Sequence, residues 1–216
     1  MVHTHPFSKG EEIANAITHG IGVLLSIAAL VLLIVFSALQ GTVWHIVSFS
    51  IYGVTMLLLY VSSTLLHSFQ SGKIKDIFEI FDHASIYLFI AGTYTPIMLI
   101  VVKGGLGWTL LSTVWALAVG GVVFKIFFVK KFNTVSTILY VAMGWLVVFA
   151  FNKVLTTLPA MGIGLLVAGG LFYTVGTVFY LWRAFPYHHA VWHLFVLGGS
   201  VFHFLTVLLY ILPLSA

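Results

Sequence analysis

The chain has 216 residues, 61% of them hydrophobic and only 6% charged, with a formal charge of +4 and no cysteine. A soluble globular domain carries roughly 25% charged residues, so most of this surface faces something other than water. Disulfides and thiolate ligands are excluded, any metal must use nitrogen and oxygen ligands, and the few scattered bases leave no nucleic-acid footprint.

The first residues carry His3, His5, Pro6, Glu11 and Glu12. They lack the charged-then-apolar start and small-residue cleavage site of a secretory signal. After this N-terminal segment, 1–16, come seven apolar runs at 17–39, 43–68, 81–102, 107–128, 135–152, 160–182 and 190–213. Each is about 18–26 residues, the length a helix needs to cross about 30 Å of hydrocarbon. Lipid cannot satisfy open backbone groups, so the spans must be helices. Alternation at period two is absent, which disfavours a β-barrel. Connections are short, at Gln40-Gly41, Lys103-Gly104-Gly105, Lys130-Lys131 and Pro186, without linkers or an internal repeat. The fold class expected is an all-α integral membrane protein, a single seven-transmembrane helix bundle over 1–216.

Pro96 predicts a kink in the third span. The pairs Gly120-Gly121 and Gly169-Gly170 predict close helix packing. With the N-terminus inside, the inner side holds Lys9, Lys73, Lys75, Lys125, Lys130, Lys131 and Arg183, and the outer side only Lys103 and Lys153. That bias predicts N-terminus in and C-terminus out. Trp44, Trp108 and Trp182 fall near span ends, where interfacial anchors belong. All five acids also fall on the inner side.

Depth singles out a constellation. His67 closes the second span, Asp82 opens the third, and His189 and His193 open the seventh, all at the inner edge. Ionisable groups in that layer are costly and usually face a partner in the bundle interior. His189 and His193, at i and i+4, share one helical face and can present two imidazoles to one ion. Such a pair alone is weak among ten histidines. His67, with Ser63 one turn deeper, and Asp82 at the same level strengthen it. Three imidazoles with water in the fourth position make an open zinc site. Asp82 would take the proton of that water, and Ser63 would orient it or polarise a carbonyl.

Glu12, Asn15 and His19 share one face at i, i+3 and i+7. The simpler reading is a helix start whose polar groups satisfy loops and backbone, and the functional alternative makes them braces to a metal ligand. His83 points away from Asp82's side. His188 reads as a loop residue, His45 as interfacial, and His3 and His5 as part of a mobile terminus. His203 lies about 15 Å further along its helix than His193, too deep for the same shell, and reads as a buried polar contact.

The run Glu11-Glu12-Ile13-Ala14-Asn15-Ala16-Ile17-Thr18-His19-Gly20 resembles the opening motif of the bacterial haemolysin III family. Ser62-Ser63-Thr64-Leu65-Leu66-His67 is similar to its second motif. Asp82-His83-Ala84-Ser85-Ile86-Tyr87, continued by Ala91-Gly92-Thr93-Tyr94-Thr95-Pro96, is similar to its third-span signature. His189-Ala190-Val191-Trp192-His193, followed by Val201-Phe202-His203-Phe204, resembles its last-span motif. These matches cover nearly the whole chain. The family sits with the progestin and adipoQ receptors in the CREST superfamily. The resemblance implies seven helices, a cytoplasmic N-terminus, and Zn²⁺ held by His67, His189 and His193, with Asp82 and Ser63 beside it. Alkaline ceramidases, in the same superfamily, hydrolyse a lipid amide.

The leading expectation is therefore a zinc-dependent hydrolase of a lipid amide or ester, multi-pass in a bacterial inner membrane, with membrane lipids as partners and substrate. No protein partner is inferable. Two rivals belong to other classes. One is a non-enzymatic, receptor-like sensor with a structural zinc. The other is a cytolytic, pore-forming protein, against which stands the lack of a pore-lining polar stripe.

Overall fold

A computed structural model describes residues 7–214; His3 and His5 lie outside the described residues. Seven helices are long and apolar enough to cross a membrane: α1 Lys9–Gln40, α2 Val43–Ser68, α3 Lys73–Val102, α4 Gly104–Phe128, α5 Asn133–Thr157, α6 Ala160–Leu181 and α7 His188–Ile211. The described residues contain no strand. Large apolar side chains such as Leu24, Val43, Phe127 and Phe149 stand outward around the bundle, a surface that suits lipid and not water.

Local chemistry sets the helix ends. Ser8 caps α1 in a reciprocal box: Glu11 N–H donates to Ser8 Oγ at 3.3 Å, and Ser8 N–H donates to the Glu11 carboxylate at 2.8 Å. The helix therefore begins at Lys9, well before the apolar run that opens at 17, and this extension carries Glu12 and Asn15. His45 does the same service for α2, accepting from the Thr42 N–H at 3.1 Å, and it is buried against the protein. Gly72, at φ 148°, lets the chain turn into α3 where a side chain would be strained. Tyr187, at φ 62°, caps α7, so His188 is the first helical residue of that element and not a loop residue. It is buried, with its Nδ1 3.1 Å from the Phe179 carbonyl.

Two spans depart from regular α-helix. In α3 the residues after Pro96, Ile97–Val102, form a π turn. The proline has no N–H to give to the preceding turn, and the ladder resumes with a wider spacing. In α5 the stretch Trp145–Ala150 tightens to 3-10 geometry. There the Tyr94 hydroxyl donates to Gly144 O at 2.8 Å and accepts from Val147 N–H at 2.7 Å. A side chain from α3 thus satisfies the backbone groups that the break in α5 leaves without partners.

The most heavily buried span is α3. It packs on α2, α4 and α5, while α1 packs on both α2 and α7. The starts of α1, α3, α5 and α7 and the ends of α2, α4 and α6 share one end of the bundle, and the histidine constellation lies there. Of the glycine pairs, Gly121 lies against the Tyr87 ring and Gly169 against His203, whereas Gly120 faces open space. At the same end Lys130 bonds Asp76 at 2.6 Å, tying the α4–α5 turn to α3. That carboxylate pushes the lysine's pKa up.

Candidate metal centre

His67 stands in the last turn of α2, and His189 and His193 in the first turns of α7. Helical spacing puts the two α7 rings on one face, and the packing of α1 between α2 and α7 brings the third ring to them. One nitrogen from each of the three lies within 4.8 Å of the others. The ring centroids are 5.2 Å apart for His67–His189, 5.3 Å for His67–His193 and 4.5 Å for His189–His193. Residues from remote parts of the sequence thus meet at one point.

The neighbours decide which nitrogen each ring presents. The Glu12 carboxylate lies 2.6 Å from His67 Nδ1, and its other oxygen accepts from the Lys75 ammonium at 2.6 Å. The Asn15 side-chain amide is 3.5 Å from the same Nδ1. A carboxylate can only accept, so Nδ1 of His67 carries the proton and Nε2 keeps the lone pair. Nε2 is buried and has no protein partner. In His193, Nδ1 lies 3.2 Å from the Asn15 carbonyl and 3.1 Å from Thr18 Oγ1. That carbonyl also leaves Nε2 as the free lone pair. Metal-ligating histidines are held in just this way, one nitrogen tied to a carboxylate or carbonyl and the other turned to the ion. The donor set, three imidazoles with an orphaned buried nitrogen, fits a borderline cation such as zinc.

Glu12 and Asn15 therefore bond the histidines instead of loops, and His19 lies among them without a hydrogen bond. His19 stacks on His193, with centroids 3.4 Å apart and planes 14° from parallel. Thr18 and Phe7 were not singled out from sequence. The Phe7 ring lies 5.0 Å from His189 and 5.9 Å from His67, covering the cluster from the N-terminal side. Neither residue type carries a metal signal, and only the adjacency of Thr18 to His19 could have pointed to it.

A cavity of about 130 Å³ opens beside the cluster. His19, His189, His193 and Asp82 border one end, Ile86, Phe89 and Ile90 its length, and Tyr94, Trp145 and His203 the other end. From Asp82 to Thr93, both on its wall, α3 advances about 16 Å. The space is therefore long and narrow, polar at the histidine end and apolar along its shaft. The Asp82 carboxylate lies 3.7 Å from His83 Nδ1. His83 itself borders the cavity, with Nδ1 bonded to the Glu79 carbonyl at 2.8 Å and Nε2 3.3 Å from the Tyr180 hydroxyl. His203 bonds the Leu166 carbonyl at 3.1 Å. Ser63 is buried one turn from His67 with its hydroxyl unpartnered, but it does not line the cavity. Tyr140, Trp145, Thr174 and Tyr180 complete the wall from α5 and α6.

Comparison with known proteins matches residues 7–204 to the family described as Haemolysin-III related. The chain belongs to that family. It is 60% identical over 204 residues to the Hemolysin-3 homolog of Bacillus subtilis (strain 168), covering 94% of this chain and 96% of that one. It is 54% identical over 206 residues to Hemolysin-3 of Bacillus cereus, covering 95% and 94%. More distantly, it is 29% identical over 210 residues to the human Monocyte to macrophage differentiation factor, covering 93% and 84%. The last match joins this haemolysin III protein to the progestin and adipoQ receptors, and with its seven apolar helices it is a multi-pass membrane protein. The family match spans every residue of the cluster, from Phe7 to His193.

Proposed function

We propose that this haemolysin III protein is a zinc-dependent hydrolase of a lipid amide or ester. One observation carries the reading: three imidazole nitrogens lie within 4.8 Å of one another, and two of their rings, His189 and His193, border a cavity that the Asp82 carboxylate and a run of apolar side chains also line. A polar head can sit among the histidines and Asp82 while its tail runs between helices. His67, His189 and His193 would hold the ion. The chemistry supplied there by bound zinc is Lewis acidity, which polarises a carbonyl and makes water acidic enough to attack it near neutral pH. Asp82 accepts the proton of the attacking water and returns it to the leaving amine or alcohol. The Ser63 hydroxyl, unpartnered one turn from His67 but off the cavity wall, would orient the water from the His67 side. Glu12 and the Asn15 carbonyl hold two of the rings in the tautomer that binding needs. The lysine and arginine bias supports this end facing the cytoplasm of a bacterial inner membrane, with the N-terminus inside.

A purely structural zinc needs a fourth protein ligand. Among the described residues the group holds three, which favours the open, hydrolytic form over the receptor-like rival. The test has two parts. Purified wild type is expected to carry zinc, and His67→Ala and His193→Ala to lose it. Reconstituted wild type is expected to release a fatty acid or amine from bacterial lipid extracts, and Asp82→Asn to release none. Stoichiometric zinc in both histidine variants would remove the ligand set, and equal turnover by Asp82→Asn would remove the role of Asp82. Dye release from liposomes that no metal-site change affects would support lysis instead.

A further inference from the structure

His19 is the most unusual side chain of the cluster, because it is fixed in place without making a hydrogen bond. It is 3% exposed, and neither ring nitrogen has a partner. His193 lies flat against one face at 3.4 Å, and Tyr60 meets the ring at 5.0 Å and 88°. Tyr60 is itself immobilised, its hydroxyl donating to Ser200 Oγ at 2.6 Å. An imidazole gripped in this way cannot swing to find a partner. Yet His19 is not in the group whose nitrogens converge within 4.8 Å. It borders the cavity beside Asp82, His189 and His193.

Burying a donor and an acceptor without partners destabilises the fold. A ring held at that cost, at the edge of a cavity, is completed by whatever fills the cavity. Two parallel rings 3.4 Å apart also present their edges side by side. A group held beyond the free edge of His193 therefore has the edge of His19 beside it. We propose that His19 is a substrate-contacting residue, an N–H donor to the carbonyl oxygen of the lipid amide or ester; this rests on the hydrolase reading and deepens it. The neutral ring suffices, with no proton transferred. The ring would bind the growing negative charge on that oxygen as it becomes tetrahedral, which is where a preorganised donor contributes most.

The test uses octanohydroxamic acid, whose carbonyl and short tail imitate the head and first carbons of such a lipid. His19→Phe keeps a flat ring between Tyr60 and His193 but removes both nitrogens, and His19→Gln restores an N–H donor. Zinc content, thermal unfolding and hydroxamate affinity are read on full-length protein in nanodiscs. Both variants should hold as much zinc as wild type. His19→Phe should bind the hydroxamate about 10-fold more weakly, and His19→Gln should recover most of that loss. Unchanged affinity in His19→Phe would overturn the proposal, and so would zinc loss matching that of His193→Ala, which would make His19 a ligand. If wild type itself held no metal and bound no hydroxamate, the hydrolase reading would fall and this role with it. If wild type bound tightly and His19→Phe equally so, only the role of His19 would fall.

Discussion

The bond between Glu12 and His67 gives a quantitative handle on the candidate metal centre. Glu12→Gln replaces the acceptor-only carboxylate with an amide of the same shape, and the charge-assisted contact at 2.6 Å becomes a neutral one. The carboxylate also holds Lys75, but the side chains of that pair are 21% and 24% exposed. Such a pair contributes about 0.2–1 kcal/mol. The His67 contact is sheltered, the histidine side chain being 2% exposed, and a hydrogen bond to a charged group is worth about 1.5–3 kcal/mol. Only the His67 contact bears on metal affinity, since Lys75 touches no imidazole in the cluster. Loss of the carboxylate that orients a ligating histidine typically weakens metal binding about 10–100-fold. Glu12→Gln should fall in that range, while Lys75→Met should cost less than about 5-fold. Chelator competition against detergent-solubilised protein measures both, with Glu11→Gln as control, since Glu11 bonds the Tyr187 backbone N–H at 3.0 Å instead of a histidine. Equal affinity in wild type and Glu12→Gln, or a larger loss in Lys75→Met than in Glu12→Gln, would refute the assignment of Glu12 as the residue that sets the His67 tautomer.

Other substitutions probe the frame around the site. Phe7→Ala uncovers the His67 and His189 rings and should let a chelator extract metal several-fold faster; an unchanged extraction rate would mean the ring does not limit access. Tyr94→Phe removes the hydroxyl that serves both Gly144 O and Val147 N–H, so thermal unfolding should register a loss of about 2 kcal/mol or more. Gly22→Ala would place a Cβ 2.3 Å from the Tyr60 ring. Overpacking of this kind costs about 1–3 kcal/mol, and a neutral result in a denaturation series would show that α1 and α2 can part without strain.

The architecture was legible because lipid imposes so few options. Seven apolar runs of span length, with short connections, leave little besides a helical bundle, and the structure has those helices. Their starts were harder to read. The α1 run opens at 17 by hydropathy, but capping by Ser8 extends the helix to Lys9, and the added turns are polar. Hydropathy cannot see a helix that continues beyond the hydrocarbon. The i, i+4 pair at His189 and His193 was visible, and the common depth of His67 followed from the odd and even direction of the spans. What α1 does there was visible only as an alternative. Glu12, Asn15 and His19 read first as a polar helix start and second as braces to a ligand, because nothing in a single sequence says that α1 packs between α2 and α7. The α5 and α6 wall of the cavity, with Tyr140, Trp145 and Tyr180, was unreadable for the same reason: aromatic residues in a span look alike whether they face lipid or a cavity.

The acids at the histidine end sort themselves by what they touch. Glu11 caps α1 and grips the Tyr187 backbone. Glu12 is shared between His67 and Lys75. Asp76 pairs with Lys130 at 2.6 Å, and Glu79 lies 3.9 Å from the same ammonium. Asp82 differs from these: its ion-pair contact is the 3.7 Å approach of His83 Nδ1, a nitrogen that already lies 2.8 Å from the Glu79 carbonyl. It is also the acid that borders the cavity. One span away the Lys125 ammonium is wholly buried and lies in the field of Glu79 and Asp82. The end of the bundle therefore commits four carboxylates to holding helices together and keeps the fifth facing the cavity, where the proposed hydrolase needs its base.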